Sequence, residues 1–332
     1  MDYQDLQAAI CEYKINLFRN DAYVRSIVLG HLDYAQKQLL TAIISNDIER
    51  VTKRQLDSLR REIVSIIDEN YARIESFLDA TGKSLFSTAY QAESIIYNNW
   101  VGAQIFASVP VYRLEAAMTV PLFEGQALGD WWKRQADDLK FKLEGIIRQA
   151  NIIGETQQST IKQVKDRLNI TRNHAETLVR TGNAAIASDA QEYLIERNAD
   201  LLECKQQLST LDSRTTPICR FRDGLKWTID NKPIGHKAPF RKPPLHAGCR
   251  SIIIMLLKNM VLSTRASEFG QVSAEFNFSD WLKQRSNSYQ EKVLGKKRAE
   301  WFRDGKLDLR QMLNQDERPL TIKQLREIYK LD

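Results

Sequence analysis

Apolar residues recur at three- and four-residue steps along the first hundred positions of this 332-residue chain, a spacing typical of amphipathic helices. The clearest series forms one stripe of a predicted helix and consists of Leu56, Leu59, Ile63, Ile67, Tyr71, Ile74 and Leu78. Gly82 follows and predicts the end of this helix, because glycine favours the left-handed conformation of a C-cap. A second helix is predicted over 23–44. The pattern therefore predicts an antiparallel helical bundle or extended helical hairpin in a region 1–110.

The pattern changes after this region. A connector is predicted over 106–125, followed by helices over about 128–153, 156–168 and 171–197, the last capped by Thr171. From about 200, short apolar fragments between turn residues predict a small sheet with strands near 225–229 and 251–257. Together these segments form a predicted central region, 111–260, with helices to about 200 and a sheet with long loops after it.

The last region, 261–332, is predicted to be helical again. Ser279 is a candidate N-cap, and Thr321 with Gln324 matches a capping box that would open a terminal helix with Leu325 and Ile328 on its buried side. The predicted fold class is α+β and predominantly helical, with an N-terminal helical bundle, a central α+β module and a C-terminal helical tail.

Composition narrows the class of protein. Hydrophobic residues make up 43% and charged residues 27%, which is ordinary for a globular chain and excludes wholesale disorder. The longest apolar run, 252–257, is far shorter than the ~20 residues of a membrane helix, so no membrane partner is expected. The acidic start of the chain is unlike a secretory signal. The four cysteines are too few and too scattered for a disulfide framework, which favours reduced thiols.

Charge is distributed unevenly along the chain. Residues 1–200 carry 23 Lys and Arg against 27 Asp and Glu, whereas 201–332 carry 25 against 15. A basic segment attracts nucleic acid or an acidic protein surface, and the alternative is a solvated face without a partner. The candidate contact residues are Arg220, Arg222, Lys226, Lys232, Lys237, Arg241 and Lys242.

Three side chains have the chemistry of zinc ligands: Cys219 and the H-x-x-C pair of His246 and Cys249. A structural zinc site needs four ligands, and the possible fourth ones, Cys204, Asp212 and His236, have no convincing spacing. The alternative is two buried thiols and a hydrogen-bonded histidine. Structural zinc is therefore a possibility, and no other cofactor is expected.

A set of polar residues predicts a hydrogen-bonded structural network, in which an Asx-type turn at Asp212 is locked by a guanidinium. Its members are Arg180, Thr181, Asp212, Arg214, Thr215, His246 and Arg250. The alternative is a hydrolase with Cys219 as nucleophile, His246 as base and Asp212 as the orienting group. No feature of the sequence specifically lowers the pKa of Cys219, which weighs against catalysis.

The segments 159–168 and 171–180 suggest a further alternative, a helix-turn-helix that reads DNA. Its recognition face would carry Arg172, Asn173 and Glu176. Against it, the turn lacks the usual glycine, and 1–200 is net acidic.

Several short motifs, taken in order, resemble the phage Mu F-like head morphogenesis (minor capsid) family. They are Arg180-Thr181, Asp212-x-Arg214-Thr215, Cys219, Asp223-Gly224 and Pro243-Pro244-x-His246-x-x-Cys249-Arg250. The resemblance spans about 120–257, and the tail 278–331 is similar to the C-terminal segment of many such proteins. Three positions depart from the pattern: Thr216 and Ser251 stand where many relatives have cysteine, and Gly182 stands where an acidic residue is usual. These departures weaken both the zinc and the catalytic hypotheses.

The resemblance implies a structural protein of a tailed-phage virion, not an enzyme. It would lie inside the capsid at or near the portal vertex after assembly in the host cytoplasm, and would act in head morphogenesis, DNA packaging or ejection. The implied partners are the portal protein, with the major capsid or scaffold protein as further candidates, and packaged double-stranded DNA bound by non-specific contact. Copy number and the choice between assembly and ejection are left open.

Overall fold

The computed structural model of the protein describes residues 3–46, 48, 50–258 and 264–331. Helices account for 61% of the structure and the sheets are small and antiparallel, so the predicted helical α+β class is confirmed. The chain forms two compact units: unit 1 contains 1–11, 92–108 and 191–332, and unit 2 contains 12–91 and 109–190. The regions 1–110, 111–260 and 261–332 stay a prediction about sequence segments, and the boundary after 260 lies outside the described residues.

The first half of the chain is built of long helices. The elements in order are α1 (Tyr3–Ile44), α2 (Lys53–Val101), α3 (Val111–Ala117), a hairpin of β1 (Leu122–Phe123) and β2 (Gln126–Ala127), α4 (Leu128–Ile153) and α5 (Gln157–Arg197). In unit 2, residues of α1, α2, α4 and α5 share one hydrophobic core. The predicted stripe on α2 lies in this core, with Leu59, Ile63, Ile67 and Ile74 fully buried.

The predicted end of α2 at Gly82 is wrong, because the helix continues to Val101. A side chain at Gly82 would meet other core residues: a Cβ built there lies 3.2 Å from Ile186 Cδ1 and 3.4 Å from Met118 Cε. The missing side chain of Gly82 therefore permits close packing of α2 against α5 and against Met118, the residue after α3. Gly82 does not end the helix. By contrast, the predicted end of α4 near 153 is confirmed, since Gly154 follows the helix in the left-handed conformation.

The predicted break between 168 and 171 is also wrong, because α5 is continuous from Gln157 to Arg197. Thr171 is buried inside the helix, where its hydroxyl donates to the carbonyl of Arg167 (3.2 Å), one turn earlier. A threonine hydroxyl can satisfy itself in this way without ending a helix, so its presence did not mark an N-terminus. The turn that a helix-turn-helix requires is therefore absent from this segment.

Unit 1 contains a four-stranded antiparallel sheet in the order β5-β4-β3-β6. Its strands are β3 (Leu202–Leu208), β4 (Lys226–Trp227), β5 (Pro233–Ile234) and β6 (Ile252–Leu257), and the short helix α6 (Pro217–Arg222) lies between β3 and β4 in sequence. The predicted strands correspond to β4 and β6. The central strand β3 escaped prediction because its sequence is polar: Lys205 and Gln207 are fully buried in it. Lys205 Nζ donates to Glu192 Oε1 (2.5 Å), which compensates its burial.

The outer edge of β6 is covered by side chains from two helices. The Tyr97 hydroxyl donates to the Met255 carbonyl and accepts from the Met255 N–H, both at 3.1 Å. The amide of Gln191 donates to the Ile253 carbonyl at 2.9 Å. Because backbone groups on a bare edge can pair with another chain, this coverage closes the edge of the sheet to such pairing.

The tail of the chain is a hairpin followed by short helices. Its elements are β7 (Thr264–Ser267), β8 (Gly270–Ser273), α7 (Phe278–Lys283), α8 (Asn287–Leu294), α9 (Lys296–Arg303) and α10 (Ile322–Tyr329), around a core that includes Trp281 and Trp301. The cap of α7 is Asn277, in a capping box with Asp280, so the prediction of Ser279 was wrong. The box of Thr321 and Gln324 is confirmed, and Leu325 is buried, but Ile328 is exposed.

None of the helices in the described part of the chain is long and apolar enough to cross a membrane.

The packing role of Gly82 can be tested against Gly145, an exposed glycine of α4 with nothing within 4 Å of a built Cβ. We expect Gly145→Leu to stabilise the protein by about 0.5–1 kcal/mol, because leucine is the better helix former. Gly82→Leu should instead destabilise it by about 1–3 kcal/mol through overpacking. Urea denaturation measures both, and equal stabilisation by the two substitutions would contradict the close packing.

Candidate functional site

The three predicted zinc ligands meet at one place in unit 1. Cys219 lies in α6, and His246 and Cys249 lie at the two ends of a tight turn before β6. The turn closes through a hydrogen bond from the Cys249 N–H to the His246 carbonyl (3.1 Å). Gly248 has φ of +70°, a conformation that side-chain-bearing residues rarely adopt, so the glycine between the two ligands is what lets the chain double back.

The donor atoms of this cluster are in contact. Cys219 Sγ lies 3.3 Å from His246 Nε2 and 3.7 Å from Cys249 Sγ, and the three donor atoms all lie within 4.8 Å of one another. Both thiols are buried, with Cys219 2% and Cys249 8% exposed, whereas His246 is half-buried. We call these three residues the thiol–imidazole cluster.

The pKa values of the two thiols in the cluster are shifted in opposite directions. The hydrogen bond between the two thiols, together with burial, raises the pKa of Cys219. The same bond lowers the pKa of Cys249, and a hydrogen bond with His246 lowers it further. The interaction with Cys249 in turn raises the pKa of His246. Cys249 is therefore the thiol that ionises first, and Cys219 and the imidazole stabilise its thiolate.

Three hydroxyl groups surround the cluster. Thr216 Oγ1 lies 2.8 Å from His246 Nε2. Ser209 Oγ lies 2.9 Å from Ser251 Oγ, and it donates to the Cys219 carbonyl at 2.8 Å. The sequence singled out Thr216 and Ser251 as departures from the family pattern, and the structure places both beside the cluster. That pattern was the only signal for them, and nothing in the sequence pointed to Ser209.

Asp212 forms a second polar centre in the same unit. Arg250 binds both of its carboxylate oxygens, at 2.6 and 2.7 Å, and Thr215 Oγ1 and the Arg214 N–H each donate at 3.0 Å. Burial opposes ionisation of this carboxyl, but the hydrogen bonds from Arg250 and Thr215 outweigh it and lower its pKa. The predicted Asx-type turn and its guanidinium partner are thus both present, with Arg250 as the guanidinium.

The other members of the predicted network lie elsewhere. The Arg214 side chain is exposed, and His246 contacts the thiols. Arg180 and Thr181 belong to unit 2, where Arg180 forms an ion pair with Asp21 at 3.7 Å and the Thr181 hydroxyl donates to the Thr177 carbonyl. They take part in a different set of contacts from those of Asp212.

A catalytic triad of Cys219, His246 and Asp212 is not assembled. The carboxylate of Asp212 is occupied by Arg250, and His246 Nδ1 lies 2.9 Å from the carbonyl of its neighbour Ala247. The nucleophile of such a triad needs a lowered pKa and access to substrate, and Cys219 has a raised pKa and is buried.

The predicted basic contact residues divide into buried and exposed groups. Arg222 is fully buried and donates to Glu317 Oε1 (2.6 Å) and the Pro239 carbonyl (2.7 Å), so its assignment to a DNA-facing surface is wrong. Arg220 donates to the Val293 carbonyl at 2.8 Å, and burial lowers its pKa to about 10. Arg241 pairs with the second oxygen of Glu317 at 3.1 Å.

The remaining cations are Lys226, Lys232 and Lys237, which are exposed, and Lys242, which is half-buried with its pKa lowered by that burial. The candidate surface is therefore smaller than the sequence suggested, because three of the seven cations hold unit 1 together.

Unit 1 also contains a buried ion pair that no pattern in the sequence predicts. Arg265 binds both oxygens of Asp223 at 2.9 Å, and the Ser209 N–H donates to the same carboxylate at 2.6 Å. Burial raises the pKa of Asp223, and these partners act against that rise. The sequence marks Asp223 only together with Gly224, as one of the short motifs that carry the family resemblance. Arg265 lies 42 positions further along the chain, and no local pattern connects the two.

The cluster and the Asp212 centre both lie within a recognisable segment. Residues 142–254 match the family described as phage Mu protein F like protein, from within α4 to β6. The predicted resemblance is therefore confirmed for this segment, which is about a third of the chain. No curated protein and no solved structure matches the chain. The similarity of the tail 278–331 to the same group of phage proteins stays a prediction.

The Asp212–Arg250 pair predicts a pH-dependent contribution to stability. In the folded protein the pKa of the Asp212 carboxyl is lowered. The stability that the ion pair contributes is therefore complete above the pKa of an unfolded aspartate, about 3.9, and is lost as the pH falls through the lower pKa of the folded state. At pH 7 we expect Asp212→Asn to cost about 1–3 kcal/mol, because a charge-assisted bidentate interaction is removed. Urea denaturation between pH 7 and pH 2 should show the difference from wild type shrinking toward the acid end. Asp316→Asn, at an exposed carboxylate, is the control and should cost little.

Proposed function

We propose, from the match of residues 142–254 to the phage Mu protein F-like family, that this protein is a structural minor head component of a tailed phage. It would lie inside the capsid at or near the portal vertex and act in head morphogenesis, DNA packaging or ejection. The proposed partners are the portal protein, with the major capsid or scaffold protein as further candidates, and packaged DNA. The family match is the single observation that carries this proposal.

The geometry of unit 1 favours a structural over an enzymatic role. Asp212 is already bound by Arg250, and the Cys219 thiol is buried against Cys249. Arg222 and Arg265 likewise have their carboxylate partners, Glu317 and Asp223, inside the fold. Polar groups that satisfy one another in this way stabilise a fold, whereas catalysis needs some of them directed toward a substrate.

Sequence-specific DNA binding through 159–180 is disfavoured. A recognition helix must be a separate element that enters the major groove, and α5 runs through this segment without a turn. Arg172, the first residue of the supposed recognition face, forms an ion pair with Asp33 in unit 2. The proposal therefore restricts DNA contact to non-specific attraction by exposed cations.

The exposed lysines Lys226, Lys232 and Lys237 lie on or just after the β4–β5 hairpin, with one acidic residue, Asp230, at its turn. We propose this hairpin as the part of unit 1 that faces packaged DNA or an acidic surface of the portal. For each lysine that no longer neutralises a phosphate, the slope of log affinity against log salt should fall by about 0.9.

The lysine hairpin is tested by the double variant Lys232→Glu/Lys237→Glu. We expect this variant to bind double-stranded DNA more weakly at low salt. The slope of log affinity against log salt should also become shallower by about two. Fluorescence anisotropy with a labelled duplex over a salt series measures both. The matched control, Lys162→Glu/Lys165→Glu at exposed positions of α5, changes the net charge equally. Equal weakening by the two double variants would show that net charge, and not the hairpin, governs binding.

The location in the head is tested by quantitative mass spectrometry of virions of the phage that encodes the protein. We expect a few to about a dozen copies per particle relative to the portal protein, as for a partner of a ring-symmetric assembly. A comparison of full with emptied heads then separates retention from ejection with the DNA. Absence of the protein from both kinds of particle would overturn the proposed function.

A further inference from the structure

We propose that Cys219, His246 and Cys249 form a zinc site with three protein ligands and an exchangeable fourth position. This inference does not depend on the proposed function, because it rests on the geometry and chemistry of the thiol–imidazole cluster alone.

Two of the three separations between the donor atoms match those of a tetrahedral zinc centre. Zinc binds thiolate sulfur at about 2.3 Å and imidazole nitrogen at about 2.0–2.1 Å, so the tetrahedral angle puts two sulfurs about 3.8 Å apart and a sulfur and a nitrogen about 3.6 Å apart. The Cys219 and Cys249 sulfurs are 3.7 Å apart, and Cys219 Sγ is 3.3 Å from His246 Nε2. In these two pairs the donor atoms need to move by only a few tenths of an ångström to bind the ion, and the third pair, Cys249 and His246, lies within 4.8 Å.

Hydrogen bonds to backbone groups hold His246 and Cys249 in positions suited to binding zinc. A metal-binding histidine usually donates its other N–H to an oxygen, which fixes the tautomer and leaves a lone pair for the metal. His246 Nδ1 lies 2.9 Å from the Ala247 carbonyl, an acceptor only, so Nδ1 carries a proton and Nε2, which lies 3.3 Å from Cys219 Sγ, is the nitrogen left for the metal. Cys249 is held beside this imidazole, because its N–H donates to the His246 carbonyl and its Sγ lies 3.7 Å from Cys219 Sγ.

The fourth position is not filled by a strong ligand. Among the described residues, the group of closely spaced Cys, His, Asp and Glu side chains at this place consists of these three. The fourth ligands considered from the sequence are engaged elsewhere: Asp212 by Arg250, and His236 by the Lys226 carbonyl at 2.8 Å. Cys204 packs with Ile254 and Leu256 in a separate cluster of the sheet.

Thr216 marks the open position. Its hydroxyl lies 2.8 Å from His246 Nε2, and it makes no capping bond to α6, although Thr216 is the N-cap residue. A neutral hydroxyl is a poor zinc ligand compared with a thiolate, so the fourth place is left to water or another small ligand. Two thiolates and an imidazole suit zinc, whereas calcium and magnesium prefer oxygen ligands.

The test uses cobalt(II) as a spectroscopic substitute for zinc in the full-length protein, reduced with a phosphine and stripped of metal by a chelator. We expect one cobalt per chain, the visible absorption of a four-coordinate ion, and a near-ultraviolet charge-transfer band from two thiolate–cobalt bonds. One equivalent of zinc should remove both features. In Cys249→Ser the charge-transfer band should fall to about half, because one of the two thiolate ligands is removed.

A second variant, which adds a ligand, keeps the zinc site testable if Cys249→Ser does not fold. Thr216→Cys should complete a set of three cysteines and one histidine, raise the charge-transfer band to about 1.5 times the wild-type value and tighten zinc binding. The matched control, Thr210→Cys, adds a thiol at an exposed position outside the cluster and should leave the band unchanged. Circular dichroism of each metal-free variant confirms that the fold is retained.

Four results would overturn the zinc site. The first is cobalt binding without a thiolate band in the reduced wild-type protein, and the second is no cobalt binding at all. The third is an equal increase in Thr216→Cys and Thr210→Cys, which would mean that any added thiol binds the metal. Recovery of the cysteines as a Cys219–Cys249 disulfide that resists the phosphine would also exclude the site, because both thiolate ligands would be consumed.

Discussion

The carboxylate of Asp223 is wholly enclosed in unit 1, and the arrangement around the thiol–imidazole cluster depends on its neutralisation. A buried charge without a partner is strongly destabilising, so Arg265 has to approach with both of its terminal nitrogens. Arg265 lies in β7, and its second contact, to the Ser209 carbonyl, fixes the chain where β3 has just ended. Ser209 then bonds the Cys219 carbonyl and Ser251, which places α6 beside the start of β6.

Two further arginine–carboxylate ion pairs are present in unit 1. Arg250 neutralises Asp212, and Arg222 neutralises Glu317 in the tail. In each case a planar guanidinium ties together segments that are far apart in sequence, a function that lysine could not perform with the same geometry. Part of the positive charge of 201–332 is therefore structural. Among the seven candidate contact residues, Lys226, Lys232 and Lys237, on or just after the β4–β5 hairpin, are the exposed lysines.

The sequence predicted those features that depend on neighbouring residues. The apolar stripe of α2, the strand β6 and the capping box of Thr321 are local patterns, and each is present in the structure. The polar strand β3 was missed because Lys205 and Gln207 are buried through partners that no local pattern reveals. Gly82 was misinterpreted for a related reason, since its role depends on Ile186 in another helix.

In the candidate site, too, the features set by neighbouring residues could be predicted and those set by distant residues could not. The thiol–imidazole cluster and the turn at Asp212 could be predicted, because their residue types and short spacings carry the chemistry. The ion pair of Asp223 with Arg265 could not, since it joins two residues whose local sequences suggest nothing in common. The predicted network left the guanidinium at Asp212 open among Arg180, Arg214 and Arg250, and the structure shows that it is Arg250.

The short turn from His246 to Arg250 couples the two polar centres of the unit. It carries two donors of the thiol–imidazole cluster, and the residue after Cys249 is the arginine that holds Asp212. The positive φ of Gly248 and the bond from the Cys249 N–H to the His246 carbonyl leave this turn little freedom. A change of position at Cys249 is therefore transmitted to Arg250 through a single peptide. The turn thus joins the thiol–imidazole cluster to Asp212, which also accepts a hydrogen bond from Thr215, the residue before Thr216 at the N-cap of α6.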